Sequence, residues 1–449
     1  MFYLYVALLA TLSPWTVKAD HCPICLAPFH GRSEAPVVVK TQCCGHRFDL
    51  DCISRCFFNQ PIGSRRCAMC RQDPMPVMNQ NTSESHPDTF FPDKTFFRAC
   101  LDGDLDQVER SLAEGVNVNA VMTYDFTALM LASNNGNKAI VERLISAGAN
   151  LDAACSTGAT ALFVAAQENN IDCVKLLISA GADPNTARTS DGATPLQIAA
   201  MKGNTDCIKL LINAGANPDA RIRNSATSLY IAAQEGNTDC VIILIEAGAD
   251  LNAARITDGA TPLFVAAVNG NTDSLKALIK ARANLEARKR NGATPLYTAA
   301  LKGNTDCLKL LINAGADLNA RNEHGANPLL IAAQKNNTEC LPLLINAGAD
   351  LNAALLNGAT PLYIAAQQNN IDCLKILVDA GADLNARYEK GATPLLIAIL
   401  KGNTDCAKLL INVGADLNAA LPTGDTPLSI VTELGNIDCV EALIKAGAK

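Results

Sequence analysis

The sequence is poor in aromatics: Phe, Tyr and Trp make up 4% of its 449 residues, with a single Trp. A large single core normally leans on such rings, because each buries so much apolar surface. The hydrophobic content of 49% rests instead on Ala, Leu and Ile, which suits thin layers of close-packed helices. No run of five Lys or Arg occurs, and the formal charge is −7. Gripping a phosphate backbone takes clustered cations, so nucleic acid is excluded as an expected partner. The sequence also lacks a P-loop, a dinucleotide fingerprint and a Ser-His-Asp set.

Long apolar runs are missing as well. Phe2 to Leu12 is apolar, but Pro14 and Lys18 interrupt it before the roughly 20 residues that a stable membrane span needs. Val17-Lys18-Ala19 has the form of a signal-peptidase site ahead of Asp20, although no basic residue precedes the apolar run. Residues 1–19 therefore read as a cleaved export signal. A leader that packs on the next domain, or a misplaced start codon, are the alternatives.

Internal repeats dominate the rest. From Thr127 a pattern recurs: Thr-Pro-Leu, a polar or aromatic residue, an aliphatic, then Ala-Ala. Its opening residues are Thr127, Thr160, Thr194, Thr227, Thr261, Thr294, Asn327, Thr360, Thr393 and Thr426, spaced by 33 or 34. A divergent copy begins near Lys94 and carries Phe96, Phe97, Ala99 and Leu101. In the copy from Thr194, the Thr hydroxyl is placed to cap a helix, and Pro195 sits where its missing N–H costs nothing. Gly203 stops that helix, Asn204 or Thr205 opens a second, and Gly215 ends it.

Thr194-Pro195-Leu196-Gln197-Ile198-Ala199 closely resembles the signature of the ankyrin family, Thr-Pro-Leu-His-x-Ala in a turn-plus-two-helix unit of 33 residues. The resemblance covers residues 95–449. It implies a mainly α fold, a solenoid of about eleven repeats that binds other proteins. The family's His is absent from all ten clear copies; Phe163, Gln197, Tyr230, Phe264, Tyr297 and Tyr363 are among its replacements.

Eight of the 18 cysteines recur once per repeat, thirteen residues after the opening residue: Cys173, Cys207, Cys240, Cys307, Cys340, Cys373, Cys406 and Cys439. Neighbouring helices lie about 8–10 Å apart, beyond the roughly 7 Å between Cα atoms that a disulfide spans. This column reads as buried small hydrophobes. Arg98, Asp102, Asp104, Asp106, Glu109 and Arg110 in the leading copy, with Thr432 and Glu433 in the last, read as polar end caps. Residues 74–94, with Pro74, Pro76, Pro87 and Pro92, read as a flexible linker.

Eight more cysteines lie between Cys22 and Cys70. Cys22-Pro23-Ile24-Cys25, Cys44-Gly45-His46, Cys52 and Cys67-Ala68-Met69-Cys70 space their ligands as zinc pairs do. A module of this size has little core, so metal would supply its folding energy. The order of the pairs resembles the RING finger over residues 22–71, giving a zinc-stabilised domain at 20–73. The resemblance implies two zinc ions, one held by Cys22, Cys25, Asp49 and Cys52 and the other by Cys44, His46, Cys67 and Cys70. Asp49 stands where the family usually has Cys or His. A carboxylate suits zinc, Cys56 rivals Asp49, and Cys43 rivals Cys44.

That family's chemistry is ubiquitin transfer by positioning, with no covalent catalytic residue. The resemblance implies that Ile24 touches a ubiquitin-conjugating enzyme and that Arg71 bridges enzyme and ubiquitin. Ala68 replaces a common Pro, and Cys56 a common aromatic, with Phe57 beside it. The expected function is a RING-type ubiquitin ligase acting in a cytoplasm, whose ankyrin repeats recruit the protein substrate. The alternative is a non-catalytic binding scaffold with a structural zinc module. The close likeness of the repeats, together with the apolar leader, fits a secreted effector of an intracellular bacterium acting in the host cytosol. Substrate contacts are expected at Gln197, Met201, Lys202, Tyr230, Glu235, Tyr297 and Lys302 on the first helices. On the turn tips they are expected at Arg221, Arg223, Arg288, Arg290, Glu323, His324, Tyr388 and Glu389.

Overall fold

The computed structural model describes residues 38–41, 47–49, 53, 57, 75, 77–79, 85–86 and 92–449. The chain divides into two compact units, Met1–Asn217 and Pro218–Lys449.

In the first unit four short strands form an antiparallel sheet in the order β2-β1-β3-β4: β1 (Val38–Thr41), β2 (Arg47–Asp49), β3 (Val77–Asn79) and β4 (Ser85–His86). Val39 stands opposite Phe48 on one side of β1, and Lys40 stands opposite Met78 on the other. Ile53 and Phe57 are helical and fully buried. β3 and β4 fall inside the stretch read as a linker, so residues 77–79 and 85–86 belong to a sheet rather than to a free tether.

From Asp93 onward the described residues hold twenty-two helices, two per repeat. The leading copy is a full repeat: helices Lys94–Asp102 and Leu105–Ala113. Asp93 takes the place of Thr and accepts the Phe96 N–H at 2.9 Å. In each later copy the opening Thr or Asn side chain caps the first helix. Thr194 accepts the Gln197 N–H, and the Gln197 side chain accepts the Thr194 N–H in return. The helix Pro195–Lys202 then ends at Gly203, in the left-handed region at φ 80°. The second unit repeats this from Ser228–Glu235 and Thr238–Glu246 to Pro427–Glu433 and Ile437–Ala446.

The first helix of each repeat packs between its neighbours, so it is apolar nearly all round: Leu296, Ala299 and Ala300 are buried. The second helix hides one face, with Cys307, Leu308 and Leu311 inside and Lys309 outside. In the last copy Thr432 and Glu433 are exposed, as a polar cap requires. Its second helix exposes Asp438, Glu441 and Lys445 but also Ile437 and Ile444.

Two ladders of hydrogen bonds join repeat to repeat within each unit. In the first ladder, Asn304 opens a second helix but does not cap it. Asn304 instead gives its amide to the carbonyls of Ala267 and Val268, at 2.7 and 3.0 Å, at the end of the previous repeat's first helix. Asn137, Asn170, Asn204, Asn271, Asn337, Asn370 and Asn403 do the same. This close approach explains the Gly at the preceding helix end: a Cβ on Gly136, at φ 71°, would lie 2.7 Å from Asn170 Oδ1. In the second ladder, a loop carboxamide or carboxylate accepts a backbone N–H of the next repeat. Asn319 accepts from Asp350 at 3.0 Å, and Asn352 from Asp383 at 2.9 Å. The family's His is missing, and these ladders carry inter-repeat hydrogen bonding.

Candidate protein-binding surface

The side chains that replace the family's His point inward. Phe163, Tyr230, Phe264, Tyr297 and Tyr363 are all buried. Each is covered by the residue 25 positions later, on the next hairpin. Arg188 lies 4.7 Å over the Phe163 ring, Arg255 5.1 Å over Tyr230, and Lys289 5.2 Å over Phe264. Asn322 donates to the Tyr297 hydroxyl at 3.3 Å, and Tyr388 stacks on Tyr363 at 5.1 Å and 13°. Where the inner residue is Leu330 or Leu396, the partner position holds Leu355 or Leu421. Cation, amide or ring sits over an aromatic face, and an aliphatic accompanies an aliphatic. Burial pushes the Tyr363 phenol up to about 12, helped by Tyr388.

The two 34-residue spacings have a physical reason. The extra residue lies in the hairpins carrying Arg188-x-x-Asp191 and Arg255-x-x-Asp258. Arg255 grips Asp258 through two bonds, 2.9 and 2.7 Å, the fork geometry that makes Arg–carboxylate pairs strong. Lys289 of the next hairpin reaches the same carboxylate at 2.9 Å. The Arg255 hydrogen bond, then Lys289, holds the Asp258 carboxyl well below the usual carboxylate range. Arg188 lowers Asp191 in the same way.

Around Asp258 opens a cleft of about 430 Å³, lined by Tyr230, Gln234, Glu235, Arg255, Phe264, Val268, Asn269 and Lys289 among others. Two cations and two anions meet there, so the cleft favours neither sign of ligand and suits a polar stretch of protein.

Several expected contact positions are corrected by the structure. Gln197, Tyr230 and Tyr297 are buried and work in packing and capping. Arg221 and Arg288 are exposed, but each is tied to the next hairpin through the carbonyls of Ala254 and Arg321, at 2.8 and 2.7 Å. Tyr388 is half-buried on Tyr363. Met201, Lys202, Glu235, Lys302, Arg223, Arg290, Glu323, His324 and Glu389 are exposed. The 25-residue pairing was readable as a correlation between two sequence columns, and the Arg–Asp turns as the cause of the longer spacing.

The repeat cysteines are free and buried, as small core residues are. Ile140 and Ser274 fill the same position in the other two copies. Burial raises the thiols of Cys173, Cys207, Cys240, Cys340 and Cys406 to about 11, and that of Cys373 to about 12. Cys22, Cys25, Cys43, Cys44, His46, Cys52, Cys56, Cys67 and Cys70 lie outside the described residues, as do Ile24, Arg71 and residues 1–19. The backbone of Asp49 ends β2, opposite Val38. Among the described residues no three His, Cys, Asp or Glu side chains gather to hold a metal, and no helix is long and apolar enough to cross a membrane.

Stacked helix pairs, capped alike and joined by projecting hairpins, define a repeat scaffold of the kind that holds other proteins. A family model described as ankyrin repeats matches residues 96–188, 185–255, 252–322, 319–388 and 387–449. The chain belongs to the ankyrin-repeat family. A search of curated proteins finds no match to it.

Proposed function

We propose that the protein is a RING-type ubiquitin ligase: the ankyrin repeats hold the substrate, and the cysteine-rich segment recruits a charged conjugating enzyme. One observation carries the reading. A zinc-ligand pattern from Cys22 to Cys70 and a protein-binding stack lie on one chain. Two zinc ions in that segment would fold it and shape the surface around Ile24 and Arg71. The β1–β2 hairpin ending in Asp49 and the buried Ile53 and Phe57 support a folded module in that stretch. Ala68 and Cys56 favour a second reading, a scaffold whose zinc module binds no conjugating enzyme.

The test is chain formation by the purified full-length protein with ubiquitin, activating enzyme and a panel of conjugating enzymes, alongside elemental analysis for zinc. Two zinc ions per chain and ubiquitin chains that Cys25→Ser abolishes and Arg71→Ala lowers are expected. Zinc without chains would leave the scaffold, and no zinc would end the ligase reading. Recovery of a mature N-terminus at Asp20 would place the protein on an export route.

A further inference from the structure

One residue stands at the tip of each hairpin of the second unit, 29 positions after the repeat's opening residue. Along six consecutive hairpins these are Arg223, Ile256, Arg290, Glu323, Leu356 and Glu389. All six are exposed; Ile256 is 63% and Leu356 81% accessible. Each is a single large aliphatic on an otherwise polar turn, open to a partner surface.

Their order is cation, aliphatic, cation, anion, aliphatic, anion. Read backwards, the row is its own complement. We propose that this row is an interface between two copies of the chain, lying antiparallel about a twofold axis. Arg223 then faces Glu389, Ile256 faces Leu356, and Arg290 faces Glu323, each contact made twice, as isologous symmetry requires.

The row is already stiff. The tip N–H of Arg290 donates to Asp258 O at 2.9 Å, Glu323 to Asn291 O at 3.1 Å, Leu356 to His324 O at 3.4 Å and Glu389 to Asn357 O at 2.9 Å. These four hairpins are thus each fastened to the one before, and little backbone freedom is left there to lose on association. Arg290 gives one N–H to the Ile256 carbonyl at 2.6 Å and keeps other donors of its five. Lys390 beside Glu389 offsets part of the outer charge, so the Arg290–Glu323 pair at the axis carries most of the charge matching. Pro422, at the next tip, ends the pattern.

Hairpins about 10 Å apart give a row on the order of 50 Å long, burying on the order of 1,000 Å² in all, at the small end for a specific complex. The dimer is therefore weak and loosened by salt. It stands independently of the ligase reading, because none of its residues lies in the cysteine-rich segment.

Sedimentation equilibrium of the full chain across the micromolar range tests it. A monomer–dimer equilibrium weakened by salt is expected. Arg290→Glu and Leu356→Asp should each weaken it by about tenfold or more, with unchanged circular dichroism since both positions are exposed. Arg290→Glu combined with Glu323→Arg should restore it. A monomer at every concentration, a dimer that either single variant leaves unchanged, or no recovery in the swapped pair would overturn the proposal.

Discussion

Arg255 holds Asp258 from within the same turn while lying over the ring of Tyr230, so one side chain locks a hairpin and roofs the helix beneath it. Both partners of the pair are about a quarter exposed, 26% and 24%, so solvent screens part of the attraction. Asp258→Asn is expected to cost about 1–2 kcal/mol at neutral pH, less than a fully buried charged pair. The pH dependence has a definite sign. The folded carboxyl sits below its unfolded value of about 3.9. Its stabilisation is complete above that value and is lost as pH falls toward the folded one. The gap in urea midpoint between native protein and variant should therefore narrow as the pH drops from about 4 toward 2. A constant gap over that range would show that the charge of Asp258 is not what holds the turn.

The buried thiols give a second prediction. Cys373 donates to Asn336 Oδ1 at 3.3 Å and is pushed up to about 12 by burial, so at pH 8 it is almost wholly un-ionised and out of reach. A thiol reagent at pH 8 should spare all eight repeat cysteines in the native protein and label them only on unfolding. Mass spectrometry of the labelled peptides reads this directly. Because these folded values are raised, stability is intact below the unfolded thiol value of about 8.5 and declines as pH rises toward about 11. Labelling of Cys373 ahead of global unfolding would contradict the burial argument.

The helices were legible in the sequence because their causes are local. A Thr cap, a Pro at the first helical position and a Gly at the end act within a few residues of one another, as around Thr194, Pro195 and Gly203. The buried cysteine column followed from spacing alone. What escaped was any role set by a partner a whole repeat away. Asn304 looks like an ordinary cap for its own helix, yet its amide serves Ala267 and Val268, 37 and 36 residues earlier. Tyr230 and Tyr297 vary between copies, which resembled a contact surface. They vary because each is matched to its own cover, Arg255 or Asn322. Pro-rich composition hid β3, since its pairing with Val38–Thr41 is set by a distant segment.

The Asn ladder is testable by a substitution that keeps its shape. Asp is as good a helix cap as Asn, but it cannot donate. Asn304→Asp should be at least as damaging as Asn304→Ala, which is expected to cost about 1–2 kcal/mol through two lost hydrogen bonds to partly buried carbonyls. Urea denaturation of both variants decides between the roles. If the Asp variant matches the native protein, the residue serves as a cap and the inter-repeat bonds contribute nothing.

Two copies depart from the consensus in ways that leave buried polar atoms idle, and mending them should stabilise the protein. Ser228 occupies the first helical position, where seven other copies have Pro. Its hydroxyl is buried without a hydrogen-bond partner. Thr227 before it lies at φ −93° and ψ 169°, the extended conformation that a following Pro demands. Ser228→Pro therefore removes an unsatisfied group and restricts the unfolded chain without strain, for an expected gain of about 1–2 kcal/mol. Asn327 caps its helix through Oδ1, 2.9 Å from the Leu330 N–H, while its buried Nδ2 has no partner. Asn327→Thr keeps the cap and replaces the idle amide by a methyl group that nine other copies accommodate, with an expected gain of about 1 kcal/mol. The two positions lie three repeats apart and share no partner, so their effects should add. A double variant whose urea midpoint falls below that of either single variant would show that these copies are kept irregular by something their own burial does not reveal.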